Sequence, residues 1–443
     1  DGKKVLFQAG TPPRYAIVDA AKTPEADEGV LKLDEATILV DPRAEWRQIF
    51  DEAYRIQRDY FYDAAMHGLD WEATVEIYRA FLPHVGHRDD LNYLLAELSG
   101  ELVVGHVFVG MGDIPTQPPV KVGLLGADIE RDGDLYRIRR IFPGLNWHPE
   151  LRAPLTEPGV NVREGDYILA VNGRPVRAPT NFYQVFEQTA DRITELSVSP
   201  TGNASDARVV TVRPIDDETR LRHWSWVEAN RRKVAELSNG RVAYIYMADT
   251  AQTGYEAFNR YYFSQLDKQA VVLDERFNGG GSVADYIIDL LNRPLLSYWA
   301  TREGGVFTSP NASIFGPKVM IINELAGSGG DALPLFFRRR GLGKLVGKRT
   351  WGGLIGIYDY PRLIDGGFLT SPRLAIFGPD GEWEVENEGV EPDVDVEMTP
   401  RLTIAGHDPQ LERAVAIVLA ELEAQPAMRR ERPQPVKRAV RSD

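Results

Sequence analysis

The sequence predicts a multidomain chain of α/β plus β class, in which a helical bundle and a compact β module precede an α/β core. Three observations carry this. Apolar residues recur with a helical period after Asp41, short strand signals crowd residues 116–216, and continuous apolar strand signals alternate with helical ones from about residue 217. The length of 443 residues suits about three domains, and 43% apolar with 26% charged residues is the composition of an ordinary soluble globular chain.

In residues 1–40 the runs VLF, YAIV and ATILV between Gly, Pro and Asp read as two or three strands of a larger β element, too few to stand alone. The opening DGKKVLFQAG is itself a strand signal, without the basic then apolar pattern of a leader, so the chain reads as a fragment or a processed form. Residues 41–115 place Trp46, Ile49, Phe50, Ala53 and Tyr54, then Trp71, Val75 and Tyr78, then Leu91, Leu94 and Leu95 on helical faces. DDLNYLLAEL next gives way to VVGHVFVG, a β-branched run predicted to be a strand carrying His106, and GDIPTQPPV follows as a linker. Residues 116–216 carry the strand signals KVGLLGADI, DLYRIRRI, DYILAVNG, ITELSVSP and ARVVTVRP, with one helical stretch at TNFYQVFEQTA. Across residues 217–427, a helical lead-in is followed by the uniformly apolar strands VAYIYM, AVVLDERF, KVMIINE and GKLVGKRT with helices between them. This is the pattern of a parallel sheet covered on both faces. Residues 428–443 are basic and predict a solvated tail.

Composition removes several function classes. A net charge of −14 opposes wrapping of nucleic acid and suits a cationic, peptidic or neutral partner. No apolar stretch reaches the ~18 residues of a membrane span. The absence of Cys excludes a disulfide framework, a thiolate metal site and a cysteine nucleophile. His84 and His87 are three apart, but without HExxH or a third ligand they predict no metal, and no cofactor is expected.

Four constellations remain. In NELAGSGGDALPLFF, Ser328 sits where a strand turns into a helix, and Ala326, Gly327, Gly329 and Gly330 allow the tight turn an exposed nucleophile needs. A serine there serves equally as a helix N-cap. In DERFNGGGSVADYIIDLL, Gly279, Gly280 and Gly281 offer unhindered amides to an oxyanion or a phosphate, though the Lys-Ser/Thr of a P-loop is missing; a plain strand-to-helix turn is the simpler alternative. His106 is either a hydrogen-bonded core residue or a general base. Glu384, Glu386 and Glu388 alternate along an extended segment, either as a solvated face or with one of them charge-stabilising an imidazole.

The motifs ELVVGH, DERFNGGG, NELAGSGGDALPLFFRRRGLGKLVGKRTWGGLIGI and VENEGVEPD, in that order, resemble the tricorn core protease family within the clan of carboxyl-terminal processing peptidases. GLLGADI and EGDYILAVNGRPV resemble a PDZ domain. The resemblance implies a PDZ-like β module and a core of ClpP/crotonase-like type, with residues 1–40 as the remnant of an upstream β-propeller. It implies a serine peptidase with Ser328 as nucleophile, His106 as general base, Glu386 as the acid linked to it, and Gly280, Gly281 and Gly329 as the oxyanion hole. Peptides are the implied substrates and a homo-oligomer, a hexamer, the implied assembly. The cytoplasm is the expected compartment, with the periplasm or secretion as alternatives.

The sequence departs from the archaeal pattern at two positions: Gly105 stands where a serine precedes the histidine, and Gly329 where an aspartate follows the nucleophile. Specificity is left between Glu303, as a receiver of basic side chains, and Trp299 or Phe307, as walls of an apolar pocket. The alternative readings are a Ser-Lys peptidase using Lys344 or Lys348, and a non-catalytic peptide-binding protein.

Overall fold

A computed structural model describes residues 2–33, 36–358, 360–424 and 432–434. The expected basic tail therefore lies largely outside the described residues. At the centre is a parallel sheet with the strand order Val242–Tyr246, Ala270–Asp274, Lys318–Ile322, Gly343–Gly347 and Val394–Asp395. The sequence order is also the spatial order. The first three strands are buried along their whole length, which explains their lack of polar alternation.

Successive residues feed two separate cores. Ala243, Ile245, Val271, Leu273 and Met320 face the helices Gln252–Phe263, Ala284–Leu291 and Gly329–Arg339. Val242, Tyr244, Val272, Val319 and Ile321 face the helices Thr219–Leu237 and Pro409–Ala424. Ligand sites in such sheets lie beyond the carboxyl ends of the strands. Gly279–Gly281 and Ser328 follow the second and third strands at that end.

The helical unit comprises Pro42–Tyr60, Trp71–Arg79 and Arg88–Gly100, opened by caps at Asp41, Asp70 and His87. Ile49, Phe50, Leu91 and Leu95 fill its core together with Leu363 and Leu369 from far along the chain. That late segment is also tied by backbone, because Phe368–Leu369 pairs antiparallel with Val109–Gly110. His106 is not on a strand. It lies in the turn before Val109–Gly110, with Val103 in the left-handed region at φ 53°, so the β-branched run yields only a two-residue strand.

The β module is a separate antiparallel sheet with its own core around Ile138, Ile168, Phe186, Leu196 and Val198. TNFYQVFEQTA forms only the short 3₁₀ turn Phe182–Phe186, two of whose aromatics point into this core. Near the start, Lys4–Ala9 pairs with Arg14–Asp19, whereas ATILV forms no strand and leaves Ile38 and Leu39 exposed.

A buried ion pair closes the helical unit. Arg88 Nε donates to Asp365 Oδ2 at 2.5 Å, and both side chains are only 2% exposed. Removing one partner strands a buried charge, so Asp365→Ala is expected to lower unfolding stability by about 3–5 kcal/mol. Chemical denaturation measures this, and a parental midpoint would exclude the pair as the closing contact.

Candidate active site

Ser328 occupies the residue before the helix Gly329–Arg339 with φ 56° and ψ −116°, a conformation that costs a non-glycine residue ~1–3 kcal/mol. Its amide donates to Gly353 O at 3.0 Å and to Asp331 Oδ2 at 2.9 Å. Neighbouring glycines are sterically required. A methyl group on Gly280 would lie 2.7 Å from Ser328 Cβ, and one on Gly329 would lie 1.9 Å from Thr250 Oγ1.

Asp331 is fully buried and accepts from Thr350 Oγ1 at 2.5 Å and Gly352 N at 2.9 Å through Oδ1, and from Gly353 N at 3.2 Å through Oδ2. Burial pushes its carboxyl above the ordinary aspartate value, opposed by the donors of Thr350, Gly352, Gly353 and Ser328. The reading of the sequence missed this residue, although the Ser328-x-x-Asp331 spacing of a capping box was its signal.

The glycine loop divides by what its amides do. Gly279 N donates to Ala248 O and Gly280 N to Asn278 Oδ1, each at 2.9 Å. Asn278 is in turn held by Glu275, which burial and the charge of Asp331 favour as the neutral acid. Gly280 is therefore a point of close approach to Ser328, and its amide is already committed. The amides of Gly281 and Gly329 have no acceptor among the described residues.

His106 is 7% exposed, its backbone oxygen fixed by Thr370 Oγ1 at 2.7 Å. Its ring packs against Trp351 at 5.3 Å and Phe108 at 5.9 Å, while its buried Nδ1 has no hydrogen-bond partner among the described residues. Burial lowers its pKa, and the nearby charge of Glu386 opposes that shift.

Of the three alternating acids, Glu386 turns into this loop. Its Oε1 accepts from Gly105 N at 2.7 Å, and its Oε2 from Leu354 N at 2.7 Å and Ile355 N at 2.8 Å. Val385 and Asn387 on either side are in the left-handed region, which aims the carboxylate inward. Glu384 instead pairs with Arg339, and Glu388 is exposed. A cavity of about 490 Å³ opens beside Glu386 between Tyr62, Ile355 and Trp383.

Trp299 stacks on Phe307 at 6.1 Å in the hairpin Ser297–Ala300 with Val306–Ser309, Glu303 is exposed at its tip, and among the described residues neither Trp299 nor Glu303 has a hydrogen bond or ion pair to the Ser328 turn. Lys348 is claimed by Asp395 and Glu397, which raise its pKa and make it a poor base, and Lys344 is exposed near the start of its strand.

Family models match three stretches of the chain. Residues 42–100 match the family model of the tricorn protease C1 domain, residues 123–217 that of the tricorn protease PDZ domain, and residues 241–396 that of peptidase family S41. Tricorn protease homolog 1 of Streptomyces coelicolor is 38% identical over 437 residues, covering 96% of this chain and 40% of that protein. The tricorn protease of Thermoplasma acidophilum is 34% identical over 396 residues, covering 89% of this chain and 37% of that protein. A crystal structure of the tricorn protease superposes with a TM-score of 0.86 at 33% identity, over 95% of this chain and 41% of that one. The chain thus spans about two fifths of the length of these relatives.

The geometry of Asp331 yields a test. Asp331→Ala leaves the amides of Gly352 and Gly353 and the Thr350 hydroxyl without their acceptor, while Ser328 N keeps Gly353 O, at about 1–3 kcal/mol for each group that stays buried and unpaired. Hydrogen exchange is expected to accelerate at Gly352 and Gly353 well before global unfolding. Parental protection at both amides would disprove the tethering role.

Proposed function

This chain belongs to the tricorn protease family, and from that membership we propose that it is a serine peptidase cleaving peptide bonds in short peptides or unfolded polypeptides. Ser328 Oγ attacks the scissile carbonyl carbon while His106 takes the hydroxyl proton. The tetrahedral oxyanion is received by the amides of Gly281 and Gly329. As the intermediate collapses, His106 returns the proton to the leaving amine, and a water activated by the same imidazole then hydrolyses the acyl-enzyme. Glu386 favours the transient imidazolium by its charge and fixes the loop bearing it.

The observation that carries this reading is the pair of unclaimed amides, Gly281 and Gly329, beside a serine held at positive φ. Preorganised donors of that kind are commonly the largest single contribution to acyl transfer. Lys348, engaged by two acids, supports histidine over lysine as the base.

Peptides are the proposed partners, the proposed assembly is a homo-oligomer of hexameric size, and the proposed compartment is the cytoplasm. No helix of the described residues is long and apolar enough to cross a membrane.

A fluorophosphonate probe is expected to modify Ser328, mapped by peptide mass spectrometry, with loss of labelling in Ser328→Ala. A folded chain that stays unlabelled there would sink the peptidase reading. His106→Ala should slow acylation by about 10²- to 10⁴-fold.

The pH dependence has a defined sign. Neutral His106 is the active form, so activity is lost as pH falls through its pKa, and burial depresses that value. The acid limb of kcat/KM is expected to inflect below the ordinary histidine value of about 6.5. An inflection above pH 7 would contradict the assignment.

A further inference from the structure

Taking His106 as the base, we infer that Trp351 is its positioning residue: packing against the indole orients the imidazole where no hydrogen-bond partner holds Nδ1. The ring centroids are 5.3 Å apart and tilted by 59°, and Phe108 closes another side of the imidazole at 5.9 Å and 76°. Nδ1 is buried and unpartnered among the described residues, so hydrogen bonding through that atom does not define the ring's rotation. Contact surfaces must do so.

The indole is suited to this because it is itself immobilised from three directions. A methyl group on Gly105, in the His106 loop, would lie 3.0 Å from Trp351 Cη2. One on Gly327, in the serine turn, would lie 2.5 Å from Cε3, and one on Gly353 would lie 2.3 Å from Cζ3. Three glycines from three segments thus make a slot for one ring. The backbone under that ring is equally fixed: Trp351 N donates to Ala326 O at 2.9 Å, Gly352 N and Gly353 N to Asp331, and Leu354 N and Ile355 N to Glu386. Trp351 therefore spans the distance between the nucleophile's turn and the base's loop, and its side chain keeps the imidazole in register with both.

The indole also covers His106 from water. It is 41% exposed, whereas the imidazole beneath it is 7% exposed. Among the described residues Glu386 is the charged group acting on His106, and it opposes the lowering that burial produces. Uncovering the imidazole would hydrate its charged form.

The test compares the parent chain with Trp351→Leu and Trp351→Phe, using a fluorogenic peptide for kcat and KM and the fluorophosphonate acylation rate at Ser328 across pH. Trp351→Leu is expected to lower kcat and the acylation rate by about 10- to 100-fold, with KM within about threefold of the parent. Its acid limb should move up toward the ordinary histidine value, and Trp351→Phe should recover much of the rate. A folded Trp351→Leu chain with parental kcat and acid limb overturns the inference. So does a loss confined to KM with the acid limb unmoved, which would make Trp351 a substrate wall. Where the Leu variant does not fold, Trp351→Met carries the same comparison, filling the space with a flexible chain. His106→Ala separates the two levels: parental activity there removes the base assignment itself, whatever Trp351 does.

Discussion

The buried carboxylate of Asp331 is the contact on which the arrangement of this site depends. It accepts from Ser328 N, Thr350 Oγ1, Gly352 N and Gly353 N, and it is fully buried. A carboxylate in that position is tolerable only with donors on both oxygens, since an unpaired charge in low dielectric would cost several kcal/mol. The same bonds serve the residues that make them. They hold Ser328 at positive φ and set one end of the segment 350–355 against the serine turn. Strain at the serine is offset by a contact three residues away.

Glu386 does the corresponding work at the other end of that segment. Asp331 takes the amides of Gly352 and Gly353, Glu386 takes those of Leu354 and Ile355, and the backbone therefore passes between two anions facing opposite loops. Beyond Asp331 lies the serine turn; beyond Glu386 lie Gly105 and the His106 loop. The sheet and the helical unit have separate cores, so packing alone would leave their relative position loosely defined at the site. Directional bonds to two fixed carboxylates define it, while the pairing of Val109–Gly110 to Phe368–Leu369 and the Arg88 to Asp365 ion pair tie the later segment 363–369 into the helical unit.

What could be read from the sequence follows the range of the interactions concerned. The parallel sheet, its helices, the serine turn and the glycine loop were legible because each is written in a short window: a uniformly apolar strand, then small residues, then a helical period. The loop of His106 was not. VVGHVFVG has strand propensity, yet its polar backbone groups are met by Glu386, Thr370 and Phe368, more than 250 residues away, and those partners impose a turn. ATILV likewise has the composition of a strand and no partner strand among the described residues. Which glycine amide is free was missed, although Asn278, two residues before Gly280, carried the local signal of an Asx turn that occupies the Gly280 amide. Nothing in the local sequence singles out Trp351; of the three glycines packed around it, Gly105 and Gly327 come from other segments of the chain.

The same reasoning accounts for glycine at position 105. With no side chain there, the acid cannot reach the imidazole through a hydroxyl, and it bonds the main-chain amide of Gly105 instead. A main-chain amide is positioned by the loop itself and loses no rotamer freedom on bonding. What is given up is direction at Nδ1, which stays buried and unpartnered. The absent side chain supplies the compensation, because its room is the room into which the Trp351 ring packs. Two requirements of the proposed base are thereby met by different physics: its charge by a carboxylate fixed through amides, its orientation by an aromatic wall. A larger residue at 105 would press on that wall at 3.0 Å, so Gly105 and Trp351 act as one unit.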